Sequence, residues 1–369
     1  MSLARPTPVA EPQGFLQSVE TYLRDLIDAE RRWMGADDGP VSGAPAVLGP
    51  ARQHTRDLYA DVHTAVGGGK RLRPTFCYWG YVGASGRTPG REVVRTSAAL
   101  ELLHTFAVVH DDVMDGSPTR RGRPSVHADL SERHARESWR GECRRFAEGG
   151  AILIGDLAFA VAQRLAGEFP RRARAVWHRM CAELVVGQHL DVRGSATGER
   201  DVGYAVSVAT LKSAGYTVVH PLHLGAALAD RSDGSALADC YAAYGYALGS
   251  AFQLRDDLLG VFGDAEVTGK PVGEDLREGR PTMLLAVAAE RATPADRRLV
   301  ERAGADDLTE AEVEQLTAVC RRTGADTEVE QQIKLAVELA QLALVEAPIH
   351  PPAATALRSL AENAAWRRR

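Results

Sequence analysis

Three features of the sequence predict an all-α protein. Apolar residues recur at three- and four-residue intervals through long runs without proline, as in helices that bury one face. No stretch alternates apolar and polar residues long enough for a convincing strand, and no internal repeat is evident. Segments rich in Gly, Pro and Ala fall between the apolar runs, where helices would stop.

Residues 1–14 hold three prolines and little periodicity and read as a loose tail, with residues 15–369 as one helical domain. A first helix is expected over Phe15–Trp33, followed by a loop over Asp37–Pro50. The next, Ala51–Val66, stops at Gly67-Gly68-Gly69, because glycine adopts the backbone conformations that end helices. Ser97–Met114 is apolar and ends in acids, whereas Ser117–Arg145 is polar, rich in arginine, and reads as a loop plus a surface segment. Helices are then expected over Ala151–Ala166, Arg174–Asp191, Tyr204–Leu228 and Ser235–Phe262. A glycine-rich charged stretch follows, suited to a lid or a plain connector, and amphipathic helices run from Met283 to the end.

A hydrophobic content of 45% over 369 residues is enough for a sizeable core, and a net charge of -5 argues against a general nucleic-acid binder. The five cysteines are an odd number, widely scattered and without a CxxC pair, which speaks against a disulfide framework or zinc cluster. No signal peptide is evident, and no uncharged apolar run approaches the ~20 residues of a membrane span. The expectation is a soluble cytoplasmic protein. Lysine occurs only at Lys70, Lys212, Lys270 and Lys334, so 40 of the 44 basic residues are arginine. Lysine is a compact, mobile point charge where arginine is a wide planar fork, so each retained lysine invites a functional question.

The chemistry gathers first at Asp111, Asp112 and Asp115, a DDxxD pattern at the end of an apolar helix. Residues four apart share a helix face, and crowded carboxylates repel one another unless a cation offsets them. A hard, oxygen-seeking ion such as Mg²⁺ suits them, completed by water and phosphate oxygens, with Arg120 and Arg121 close behind to clamp a phosphate. An exposed acidic helix end before a basic loop accounts for DDxxD alone equally well. His104, seven residues before Asp111, reaches toward a ligand or is an ordinary core histidine. After the three glycines, Lys70 and Arg73 make either an anion pocket or a basic turn. Lys212-Ser213 falls within a helix, and Gln253, Asp256 and Asp257 share a face of the second acidic helix. Lys270, Asp275 and Arg280 occupy the charged stretch after it, and Arg367-Arg368-Arg369 reads as a solvated end.

The motifs GGKRLRP, ELLHTF, HDDVMD, TRRGRPSVH, AILIGD, GQHLD, LKS, FQLRDDLLG and TGKPVGEDLREG follow one another between Gly68 and Gly279. In that order they resemble the trans-prenyl diphosphate synthases of the polyprenyl synthetase family, most similarly its geranylgeranyl diphosphate synthases. The resemblance implies an isoprenoid synthase-type bundle of ten or more helices around a deep central cavity, usually a homodimer. It implies Mg²⁺, three ions per active site with substrate bound, ligated by Asp111, Asp115 and Asp256, with Asp112 and Asp257 supporting them. It assigns Arg120, Lys212 and Lys270 to the allylic diphosphate, and Lys70, Arg73, His104 and Arg121 to isopentenyl diphosphate. Gln253 and Ser213 would lie beside the reacting carbons. Two positions depart from the pattern: Gly260 replaces the third aspartate of the second motif, with Asp264 four residues on, and Arg280 stands where lysine is common.

Product length is expected to depend on the floor beneath the first motif. Phe106 lies five residues before Asp111, about 7.5 Å deeper at ~1.5 Å rise per residue, and Ala107 beside it is small. In the family an aromatic at five and a small residue at four resembles the C20 type, with C15 next; ordinary core packing also accounts for Phe106. A class I terpene cyclase shares the fold and a DDxxD but expects an Asn/Ser/Glu triad. The single asparagine here, Asn363, lies near the end. An inactive partner subunit of a heteromeric synthase would lack carboxylates in the first motif, and here DDVMD is intact.

Overall fold

The computed structural model describes residues 12–35, 51–230, 236–263, 273–345 and 347–365. Its described residues are almost wholly helical and divide into two compact units. The first draws on Met1–Tyr78, Arg87–Pro118 and Pro124–Phe169, the second on Trp79–Gly86, Thr119–Arg123 and Pro170–Arg369.

In the first unit, α1 (Pro12–Gly35) buries Phe15, Val19, Leu23 and Ile27, a stripe at helical spacing, and packs on α2 (Arg52–Val66) and α4 (Arg91–Asp115). Helix α3 (Leu72–Ser85) starts in this unit. The most extensive packing joins α4 to α6 (Cys143–Gly167), where Phe106 of α4 stacks on Phe159 of α6. Gly155 permits that approach, because a Cβ there would run into the His110 ring.

One expectation in this region needs correcting. The segment expected to be loop plus surface contains a two-residue hairpin, Thr119–Arg120 with Arg123–Pro124, then α5 (Val126–Arg136) and the first turns of α6. Arg121 (φ 55°) and Gly122 (φ 71°) make the left-handed turn that such hairpins favour. Helix α5 is hidden in the sequence because only Leu130 and His134 are buried, and polar ties such as Arg133 to Asp61 (2.8 Å) hold it. Among the described residues only α6 is long and apolar enough to cross a membrane, by length and composition alone, and Asp156 and Arg164 interrupt it. Its buried face lies on α4 and α5.

In the second unit, α7 (Arg171–Thr197) precedes a continuous helical stretch that changes register. It runs α8 (Val202–Val208), a π-helical segment (Ala209–Val219) and α9 (His220–Leu228). The π-segment packs against α7 and α10 (Ala236–Phe262). After the short α11 (Glu274–Arg277) come α12 (Met283–Arg291), α13 (Pro294–Val300), α14 (Glu310–Arg322), α15 (Ala325–Ala343) and α16 (Pro351–Ala365). Thr282, Thr293 and Thr309 cap three of these by accepting backbone N–H bonds, each contributing about 1 kcal/mol. Buried Tyr241 and Tyr244 of α10 donate to the carbonyls of Gly80 (3.2 Å) and Leu357 (2.8 Å).

Candidate active site

Helix α4 places the first acidic motif in its last turn. Gly116 follows Asp115 in the left-handed conformation (φ 65°), and it and Ser117 donate backbone N–H bonds to the Asp112 carbonyl, closing the helix. Asp112 is buried, and Asp111 and Asp115 are half-buried. Three carboxylates therefore sit at the negative end of a helix dipole, where anions are disfavoured and cations attracted.

Below them, Phe106 stacks on Phe159 of α6, with centroids 4.8 Å apart and planes at 29°, and meets the His110 ring at 4.5 Å. His110 Nε2 contacts the Ile152 carbonyl (3.0 Å) and lies 3.5 Å from Asp156. His104, Phe106 and Ala107 are all half-buried.

Lys70 is exposed in the α2–α3 loop and Arg73 lies in the first turn of α3, where a helix N-terminus also favours anions. Between them Arg71 does something different. Its backbone is left-handed (φ 50°), and its buried guanidinium pairs with buried Glu101 of α4 and donates two 3.1 Å bonds to the Val66 carbonyl. A non-glycine residue in that conformation is strained, and this buried pairing over-determines it. Arg71 thus ties the loop carrying Lys70 and Arg73 to α4.

The second unit carries five predicted residues on the π-segment and α10. Lys212 Nζ lies 2.5 Å from Asp191 Oδ2 of α7, with both side chains largely buried. Ser213 Oγ donates to Gln253 Oε1, and Gln253 Nε2 donates to Asp257 Oδ1 at 2.7 Å. Gly187 and Gly249 allow α7 and α10 to close on the π-segment, since Cβ atoms there would overlap backbone at Lys212 and Ala214. Asp256 is exposed, whereas Asp257 is buried. Burial, then the nearby Asp275 carboxylate, holds Asp257 well above the usual carboxylate range, and the Gln253 bond opposes them.

Arg120 is half-buried and Arg121 exposed in the hairpin. Lys270, Asp264 and Arg367–Arg369 lie outside the described residues, as do residues 264–272 of the lid stretch, the loop over Asp37–Pro50 and most of the tail. A surface groove lined by Arg255, Leu258, Phe262, Arg321 and Glu330 contains none of the predicted residues.

Among the described residues no three His, Cys, Asp or Glu side chains already form a metal cage. Mg²⁺ takes one or two carboxylates and completes its shell with water and phosphate oxygens. Asp111 and Asp115 in the first unit, and separately Asp256 in the second, offer the oxygen donors such an ion takes. Sequence reading passed over Arg71, Glu101, Phe159 and the pairing role of Asp191. GQHLD was the one available signal for Asp191, and the others are ordinary until folded.

Residues 56–320 match the polyprenyl synthetase family, a span that contains every predicted site residue from Lys70 to Lys270. The chain belongs to the polyprenyl synthetase family. It is 34% identical over 264 residues to a short chain isoprenyl diphosphate synthase of Methanothermobacter thermautotrophicus, covering 68% of this chain and 72% of that one. It is 34% identical over 325 residues to a geranylgeranyl diphosphate synthase of Mycobacterium tuberculosis, covering 84% and 86%. Its fold is similar to that of a geranylgeranyl pyrophosphate synthase from Corynebacterium glutamicum complexed with isoprenyl diphosphate and magnesium. There the TM-score is 0.87 at 33% identity, over 98% of this chain and 100% of that one. As a polyprenyl synthetase the protein is a transferase of prenyl groups with the all-α isoprenoid synthase fold.

Proposed function

We propose that this polyprenyl synthetase condenses isopentenyl diphosphate with an allylic diphosphate (dimethylallyl, geranyl or farnesyl) to give linear C20 geranylgeranyl diphosphate. The observation that carries the chain length is Phe106, stacked on Phe159 beneath the first motif with small Ala107 beside it. The Mycobacterium and Corynebacterium relatives, named for the C20 product, support it.

The cofactor is Mg²⁺, the ion bound in the Corynebacterium protein, and Asp111, Asp115 and Asp256 would hold it with Asp112 and Asp257 in support. When bound it supplies positive charge to the departing diphosphate. Lys212, Arg120 and Lys270 add fixed cations to that leaving group, so the allylic C–O bond ionises. Lys70, Arg73, His104 and Arg121 anchor isopentenyl diphosphate, whose double bond attacks the allylic carbon. Ser213 and Gln253 present hydrogen-bonded dipoles beside the reacting carbons. A proton then leaves, with the released diphosphate as base, and the apolar wall below α4 excludes water that would quench the cation. The exposed apolar residues Ile152 and Leu153 of α6 suit burial against a second copy, in a cytoplasmic homodimer.

The test is a product profile of the purified chain with Mg²⁺, isopentenyl diphosphate and each allylic primer in turn. A C20 alcohol after hydrolysis supports the reading. A C15 stop places the floor elsewhere, and a cyclic hydrocarbon from one substrate overturns the reaction class.

A further inference from the structure

Arg200, in the turn between α7 and α8, is a half-buried cation whose guanidinium forms no ion pair among the described residues. Burial works against that charge, and neighbouring Glu199 offsets only part of the effect. Backbone carbonyls take up the fork instead. Nη1 donates to Glu199 (2.7 Å) and Gly279 (3.3 Å), and Nη2 donates to Ala303 (3.1 Å). One side chain thereby joins three segments that lie far apart in sequence.

The turn it holds is tightly built. Gly279 (φ 64°) and Gly304 (φ 88°) are both left-handed, and a Cβ on Gly279 would lie 2.8 Å from the Gly304 Cα. Both donate their N–H to the Leu276 carbonyl, at 3.3 and 3.1 Å. Arg280 follows, and its Nε pairs with Glu278 and lies 3.5 Å from Asp275 Oδ1. Its charge also favours an ionised Asp257, against the burial and the carboxylates that oppose it. Pro281 then packs on α7, where a Cβ at Gly194 would lie 2.8 Å from Pro281 Cγ. Arg280 is thus the cation beside the second-motif carboxylates, and its backbone starts at the peptide whose carbonyl Arg200 holds.

The turn carrying Arg200 is itself fixed. Glu199 Oε1 accepts the N–H groups of Arg200 (3.0 Å) and Asp201 (3.1 Å), and Asp201 caps α8 through Tyr204 N–H (2.7 Å). The Tyr204 hydroxyl donates to the Leu190 carbonyl (2.7 Å), one residue before Asp191.

We propose that Arg200 is a positioning residue of the condensation, setting Arg280 against the second acidic motif through the Gly279 peptide. This rests on the reading of that motif as a Mg²⁺–diphosphate site. Without the clasp the Gly279–Arg280 turn shifts, and a cation misplaced by about 1 Å loses much of its hold on a departing diphosphate.

The test is steady-state kinetics of the full chain with Mg²⁺, isopentenyl diphosphate and geranyl diphosphate, alongside calorimetric titration of magnesium pyrophosphate and urea unfolding. It compares wild type, Arg200→Ala, Arg280→Met and the double variant. Arg200→Ala should raise the KM for geranyl diphosphate about tenfold and weaken magnesium pyrophosphate to a similar degree. In the Arg280→Met background the same change should do almost nothing, because the residue through which Arg200 acts is gone. Arg200→Lys, which keeps the charge but not the fork, should fall between, and it replaces the alanine variant if that chain does not fold. A lower unfolding free energy with KM and pyrophosphate affinity unchanged would make Arg200 a plain staple and overturn the idea. Equal losses in the two backgrounds would overturn it as well. A wild type that binds no magnesium pyrophosphate would instead sink the reading of the second motif, and the proposal with it.

Discussion

The ammonium of Lys212 lies 2.5 Å from the Asp191 carboxylate, and α7 passes close enough that a Cβ on Gly187 would overlap the Lys212 backbone nitrogen. Asp191→Asn leaves a largely buried cation without its counter-charge. It should cost about 2–3 kcal/mol, less than a fully buried pair because Lys212 keeps some exposure. Lys212→Arg should lose most activity despite keeping the charge, since a wide planar guanidinium replaces the compact ammonium seated beside Asp191. Urea unfolding and steady-state rates check the two claims, and an arginine variant with full activity would remove the steric argument.

Breaking the pair of Arg71 and Glu101 tests whether the anion loop depends on a residue that is not itself a ligand. Glu101→Gln should destabilise the chain by about 3 kcal/mol, as for other buried pairs stripped of one partner. The misplaced loop should raise KM for isopentenyl diphosphate about tenfold or more. Lys70→Ala, at an exposed position, should raise that KM with little change in unfolding free energy.

Acid sensitivity should trace to His220 and Glu183, whose Nε2 and Oε2 lie 2.7 Å apart. Burial lowers the His220 pKa from 6.5, its Nδ1 has no hydrogen-bond partner, and the Arg179 and His220 bonds outweigh burial to lower Glu183. The folded state thus favours neutral histidine beside ionised glutamate. Both folded pKa values lie below the unfolded ones, so this contribution is present above about pH 6.5 and lost as pH falls through the folded values. Unfolding free energies from pH 7.5 to 5 should decline, and His220→Gln should flatten that slope.

Product length should respond to both rings of the Phe106–Phe159 stack. Phe106→Ala should lengthen the product by one or more isoprene units, and Phe159→Ala, on a different helix, should do the same. Reverse-phase sizing of the hydrolysed alcohols reads this directly. Unchanged length in both variants would make the stack ordinary core.

Most of the long helices and the acidic motifs were legible because long apolar runs and paired aspartates carry their meaning locally, whereas Leu72–Ser85 was not expected as a helix. Ser235–Phe262 was expected and Ala236–Phe262 is observed, since α10 buries nearly a whole face. Helix α5 was not legible because its docking is polar. The partnerships of Arg71 with Glu101 and of Arg200 with Gly279 were hidden for another reason. Each joins residues on different elements, and a single sequence has no local signal for such a meeting.

The π-segment makes the second unit sensitive to chain length as well as to residue identity. Its wider turns accommodate an inserted residue, so reverting Ala209–Val219 to regular helix would require a deletion rather than a substitution. Removing one residue just before Lys212 would rotate everything upstream by about 100° against everything downstream. With the downstream turns held against α10, α8 takes up the rotation; with α8 held instead, Lys212 and Ser213 turn away from Asp191 and Gln253. A single-codon deletion, silent to any survey of point changes, can therefore separate Lys212 and Ser213 from their partners without altering either side chain.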